Sequence, residues 1–215
     1  MPSSCRATLL DQAGALAFAQ GHYARARHYF EASVELRRHG GGSLRDLAVA
    51  LNHCAAALRW GCNDSMASVP LYEESLGLAR QVDDRLLIGA ALMPLGTLAL
   101  DRGELAQAQQ LLQEGLKRYI EADVETAFPL ALEQFAALAA ARNQAVRALR
   151  LAGAGAAWRR ILRTHPTPYR AWVQRSIAAE GLMLPHTQAD QAWQAGEAMS
   201  LEEAIAYAVN NESGS

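Results

Sequence analysis

Asp11, Arg59, Asp101 and Glu133 are the titratable residues whose positions on helical faces offer raw material for acid–base chemistry. An enzyme would need them clustered in one groove with perturbed proton affinities. The adjacent carboxylates Glu73–Glu74 and Glu202–Glu203 diverge by about 100° on a helix, so neither pair can act jointly as general acid and base. His39-Gly40-Gly41-Gly42 has the composition of an oxyanion-stabilising loop, but no G-x-S-x-G nucleophile turn accompanies it, and it reads as a linker. Gly153 and Gly155 lack the preceding strand and third glycine of a dinucleotide fingerprint. His53 and Cys54 point to different helix faces, and no H-E-x-x-H or paired-cysteine spacing occurs, so no metal site is argued. These residues predict a protein that is not an enzyme and uses no cofactor.

A second group is basic. Arg142, Arg147, Arg150, Arg159, Arg160, Arg163, Arg170 and Arg175 follow one another with no Asp or Glu between Glu133 and Glu180. Trp158, Tyr169 and Trp172 interleave with them, a pattern that can hold a phosphate backbone and stack a base. Against this, Arg159, Arg160 and Arg163 crowd a helix end where the dipole favours cations, and the tryptophans fall at core spacing. The whole chain has 20 basic and 22 acidic residues and a formal charge of -2, so nucleic acid is disfavoured and an acidic protein surface suits the basic flank better.

The elements that position these residues follow from a repeat. Gly21, Gly61, Gly103 and Asn143 lie 40, 42 and 40 residues apart in similar surroundings. Each is expected to mark the turn of a helical hairpin, and a period of about 20–50 residues is the mark of a solenoid. Apolar residues at Leu9, Leu10, Ala13, Leu16, Ala17 and Phe18 predict helix A of the first hairpin over 7–20, and helix B follows over 23–38. Further hairpins are expected at 44–60 with 67–82, across 85–119, and across 125–160, with Cys62-Asn63-Asp64-Ser65 bulging from the longer second turn. Gly14, Ala26, Gly96, Ala108, Ala136 and Ala148 are the small residues at which paired helices approach closely. Pro94 is expected to kink its helix. Residues 1–160 thus form the repeats, and 161–215 a C-terminal helical cap: a Pro-containing linker, helices near 169–182, 186–197 and 201–209, and a frayed tail. Ser200 with Glu203 is a capping box. No segment reaches the length of a membrane span, no leader pattern opens the chain, and three cysteines leave an odd thiol, so a soluble cytoplasmic protein is expected.

The hairpin signature, a small residue in helix A, a turn glycine, then Ala and a bulky residue in helix B, resembles the tetratricopeptide repeat. Its 40-residue period is longer than that family's usual 34 and is similar to the tetratricopeptide-like C-terminal region of bacterial signal-transduction ATPases and transcription activators of the MalT/LuxR type. The segments 150–158 and 192–208 resemble the last part of that region most closely. The resemblance implies an all-α, right-handed superhelical array of about four hairpins with a C-terminal helical cap, and a regulatory setting in bacteria. No G-x-x-x-x-G-K-[ST] occurs, so ATP hydrolysis does not carry over.

Mapped on such an array, the concave groove is lined by Asp11, Gln12, Ala15 and Phe18; by Asn52, Ala55, Leu58 and Arg59; by Met93, Thr97, Leu100 and Asp101; and by Glu133, Gln134 and Ala137. Asn52, Arg59 and Gln134 are the expected contacts, since they have hydrogen-bonding reach and no evident need within their helices. The mixed lining suits a protein or peptide partner or a small-molecule inducer; the alternative is an ordinary solvated helix face. The expected function is a non-catalytic binding module in which a ligand shifts the population of superhelical curvatures. A stand-alone scaffold that forms a homodimer through the arginine-rich flank or an exposed solenoid end is the second reading, and a small enzyme on the same array the third.

Overall fold

The computed structural model describes residues 2–40, 42–61, 65–164, 171, 175 and 184–210. Among them there are ten α-helices and no strand: α1 (Ser3–Ala19), α2 (Tyr23–Arg38), α3 (Leu44–Gly61), α4 (Val69–Gln81), α5 (Arg85–Asp101), α6 (Leu105–Glu121), α7 (Phe128–Ala141), α8 (Ala145–Ile161), α9 (His186–Glu197) and α10 (Leu201–Val209). Two compact units divide the chain, 1–98 and 99–215.

In the first unit consecutive helices pack on one another, α1 on α2, α2 on α3 and α3 on α4. Its core gathers Ala17, Ala26, Phe30, Val34, Leu51 and Cys54. The approach of α1 to α2 depends on Gly14, where an added Cβ would lie 2.6 Å from the Phe30 ring. Ser33 of α2 donates to the carbonyl of Ala7, and Ser75 of α4 donates to that of Ala48, at 3.2 and 2.8 Å. The second unit repeats the scheme: α7 packs on α6 and α8, α8 on α9, and α10 against α7 and α8. At Gly155, where a repeat-equivalent serine would stand, an added Cβ would sit 3.0 Å from both the Pro129 carbonyl and the Glu133 side chain. In these three hairpins two helix faces thus meet at one register, with serine bonding across where there is room and glycine where there is none.

The corners carry the period most clearly. Gly21, Gly103 and Asn143 adopt left-handed φ of 78°, 75° and 58°, and so do Asp83, Asp123 and Arg163, at 49°, 54° and 52°. At all six the amide of the next residue bonds to a carbonyl five residues back: His22 to Ala17, Asp84 to Ala79, Glu104 to Ala99, Val124 to Tyr119, Gln144 to Ala139 and Thr164 to Arg159. This is the Schellman closure, which satisfies carbonyls left open at a helix end. Helix A ends and helix B ends therefore use one stop, the first recurring at 21, 103 and 143 and the second at 83, 123 and 163. Asp and Asn tolerate the left-handed region, whereas Arg163 bears a steric cost there.

Three helix starts are held by side chains. Ser200 and Glu203 form the expected reciprocal capping box on α10, and Ser43 with Asp46 forms a second one on α3. Asp84 caps α5 by accepting from the Leu87 amide, and its other oxygen holds Arg45.

Several expectations need correction. Helix α1 begins at Ser3, four residues earlier than the periodicity indicates, and Gly61 is the last residue of α3 instead of a left-handed corner. An added Cβ at Gly61 would lie 2.8 Å from Cβ of Tyr23, so the glycine serves a close approach. Arg37, in the last turn of α2, is buried. Cys62-Asn63-Asp64, Tyr169, Trp172, Arg170 and most of the expected 169–182 helix lie outside the described residues.

Candidate functional site

Two of the residues selected as ligand contacts bond the stretch of α5 around a proline. Pro94 has no amide hydrogen, so the carbonyl four residues earlier loses its helical donor. That carbonyl belongs to Ala90, and the Asn52 side chain of α3 donates to it at 3.1 Å. Further along α3, Arg59 donates to the Pro94 carbonyl at 3.1 Å and to Thr97 Oγ1 at 2.8 Å. Thr97 in turn donates to the Pro94 carbonyl at 2.8 Å. Arg59 is 5% exposed and Thr97 fully buried. The polar reach of Asn52 and Arg59 is thus used inside the first unit: Asn52 answers the carbonyl that Pro94 leaves open, and Arg59 ties the Pro94 carbonyl and Thr97 to α3, in a helix buried from Leu87 to Ala99 except at Ala90.

Two other candidates are buried ion pairs. Arg159 of α8 grips Glu133 of α7 through two parallel bonds, Nε to Oε1 at 3.1 Å and Nη2 to Oε2 at 2.6 Å. Their side chains are 8% and 7% exposed. Arg37 of α2 pairs with Asp11 of α1 across the first hairpin, with Asp46 a second carboxylate at 3.8 Å. Asp11 and Glu133 each stand ten residues before their turn residue, Gly21 and Asn143, while Arg37 and Arg159 each stand sixteen after it. The first and fourth hairpins therefore share one helix A carboxylate and one helix B arginine. Sequence reasoning missed this pairing, although the common 26-residue separation was its visible signal.

The remaining groove residues sort by exposure. Gln12 and Asp101 are exposed; Phe18, Leu58 and Leu100 are half-buried; Met93 is buried. Gln134 is 1% exposed, and its carboxamide has no hydrogen-bond partner among the described residues. Phe18 packs edge-on against Tyr23 with ring centroids 5.1 Å apart. None of these residues lines the two clefts of note, one of about 430 Å³ at 21–25 beside Trp60 and Gly61, the other of about 510 Å³ between Arg147 and the α9–α10 corner.

The basic flank is less free than its sequence implies. Arg159 belongs to the buried pair, Arg160 bonds Glu197 at 2.8 Å, and Arg142 bonds Gln109 at 2.5 Å. Arg147 donates to the carbonyls of Tyr207 and Ala208, which close α10, and lies 4.9 Å from the Tyr207 ring centroid. Acids absent from the stretch itself thus reach it from other helices. Gly153 and Gly196 mark where α8 and α9 meet backbone to backbone, since a Cβ at the first would fall against the Trp193 carbonyl and at the second against that of Arg150.

Burial pushes the Cys54 thiol up to about 11, which removes it as a nucleophile at neutral pH. Among the described residues no group of three or more His, Cys, Asp or Glu is placed to hold a metal ion, and no helix is long and apolar enough to cross a membrane. A scan against protein-family models and a search of curated proteins returned no match.

Proposed function

We propose that the chain is a non-catalytic binding module whose hairpins wind into a tetratricopeptide-like, right-handed superhelix. In this reading it serves a bacterial regulator by binding a protein, a peptide or a small inducer. The observation that carries it is the use of the chemistry-bearing side chains: Asp11, Arg59 and Glu133 are committed to Arg37, to the Pro94 turn and to Arg159. They act as braces between helices, and the periodic Schellman corners support the repeat. Of the helix A positions, Phe18, Leu58 and Leu100 supply apolar surface and Gln12 and Asp101 polar surface. A ligand there acts by favouring one curvature over another.

The test selects extended peptides from a random library against the immobilised full chain and measures their affinity by calorimetry. Leu58→Glu should weaken a selected peptide at least tenfold while the helical circular dichroism stays unchanged. Equal affinity for the variant would remove the helix A face from the binding surface. Small-angle scattering checks the superhelix separately, because a compact body of 215 residues has a radius of gyration of about 17 Å and a superhelix a larger one.

A further inference from the structure

We infer that the outer face of α1 is a self-association surface, on which a second copy of this chain docks its own α1 in antiparallel orientation. The helix turns Ala7, Gly14 and Ala17 inward. On the opposite side Cys5, Leu9, Gln12, Leu16 and Ala19 form a straight stripe at spacings of four, three, four and three, all exposed. Leu9 and Leu16 are 53% and 62% exposed. That spacing is the seam of a two-helix coil. A solvated helix face carries charges, yet the 17 residues of α1 include only Arg6 and Asp11. Asp11 is tied to Arg37, and Arg6 lies about 100° round the helix from the stripe. A helix apolar on both sides is covered on both.

The stripe also specifies what covers it. Gln12 is its midpoint, so a two-fold axis through Gln12 sets this residue against itself and Cys5 against Ala19, with Leu9 and Leu16 adjacent at an offset of one residue. A carboxamide both donates and accepts, and the two glutamines satisfy each other across such an axis. Antiparallel packing also sets the N-terminus of α1, which has no side-chain cap and no acid in its first turn, beside the carbonyl end of its partner. Seventeen residues of helix at a spacing of about 8–10 Å bury on the order of 900 Å² in total, below the roughly 1,200 Å² at which stable specific interfaces begin. Pairing is therefore weak, with half-dimerisation at roughly 10–300 µM. It does not rest on the binding reading above.

Sedimentation velocity of the full chain from about 5 to 500 µM tests it. The wild type should move from monomer to dimer across that range, and the Leu9→Glu, Leu16→Glu double variant should remain monomeric throughout. Both leucines are more than half exposed, so the monomer keeps its helicity. Gln12→Glu opposes two like charges on the axis and should raise the dissociation constant at least tenfold, which a dimer built elsewhere would not show. With diamide, the thiol introduced by Ala19→Cys should cross-link to Cys5 of the second copy, as mapped by mass spectrometry. A wild type monomeric at about 500 µM, or a dimer that survives both leucine substitutions, overturns the surface. In the same variant, a disulfide joining the two Cys5 residues in preference to the cross-link between Cys5 and position 19 overturns the antiparallel arrangement.

Discussion

Replacing Arg159 with methionine removes both bonds to Glu133 and leaves a carboxylate 7% exposed among the apolar residues of α7 and α8. Methionine keeps most of the volume, so the cost is electrical. Taking the bidentate partner from a buried carboxylate of this kind costs about 3–5 kcal/mol. With a urea slope near about 2 kcal/mol per M, the unfolding midpoint of the second unit falls by on the order of 1.5–2.5 M. Equilibrium unfolding at pH 7, followed by helical circular dichroism, reads this directly. The companion variant, Glu133→Leu with Arg159→Met, removes both charges and should return to within about 1 kcal/mol of the parent, since an apolar pair of similar volume replaces a buried ion pair at little cost. The equivalent Arg37→Met should cost less, because the Asp11 side chain is 15% exposed and keeps part of its hydration. A shift below about 0.3 M for Arg159→Met, or a double variant no better than the single one, would show that this pair is not the brace between α7 and α8.

Other outcomes follow from single contacts. Asn52→Ala should cost about 1 kcal/mol in the parent and nearly nothing beside Pro94→Ala, because alanine restores the amide that bonds the Ala90 carbonyl; a thermodynamic cycle with no coupling refutes the repair role. Gln134→Met should raise stability by about 1 kcal/mol, since it removes an unpartnered buried carboxamide; a loss instead would mean that the amide holds a bound molecule. N-ethylmaleimide at pH 7.5 should label exposed Cys5 and spare Cys54 until the chain unfolds, and rapid native labelling of Cys54 would contradict its burial. The Glu203 carboxylate accepts from the Ser200 amide, which holds its proton affinity below the usual glutamate range. Its contribution is complete above the unfolded value and is lost as pH falls through the lower folded one. Amide exchange in α10 should therefore rise only in acid, and Ser200→Ala should weaken that dependence.

The helices were legible because local rules place them: glycine or asparagine corners, apolar periodicity and the Ser-x-x-Glu start each act within a few residues. The observed bounds of α2, α9 and α10 are those the sequence predicts. The Ser43–Asp46 box obeyed the same rule and was missed, as were the corners at Asp83, Asp123 and Arg163, where no glycine announces a left-handed residue. The candidate site was harder to read because exposure depends on neighbours far along the chain. Asn52 and Arg59 look available on their own helix, and only α5, some 35–38 residues away, shows what they bond. Pro94 was the missing step: a helix interior with a proline must leave a carbonyl to be answered from elsewhere, and an asparagine at a buried interface is the residue type that can answer it. The same reasoning applies to the acid-poor arginine stretch, whose partners Glu133, Gln109 and Glu197 sit on other helices. In a repeat fold a charge run is therefore informative only after it has been compared with the same register in the other repeats, and that comparison turns Asp11–Arg37 and Glu133–Arg159 from separate candidates for chemistry into one recurrent brace.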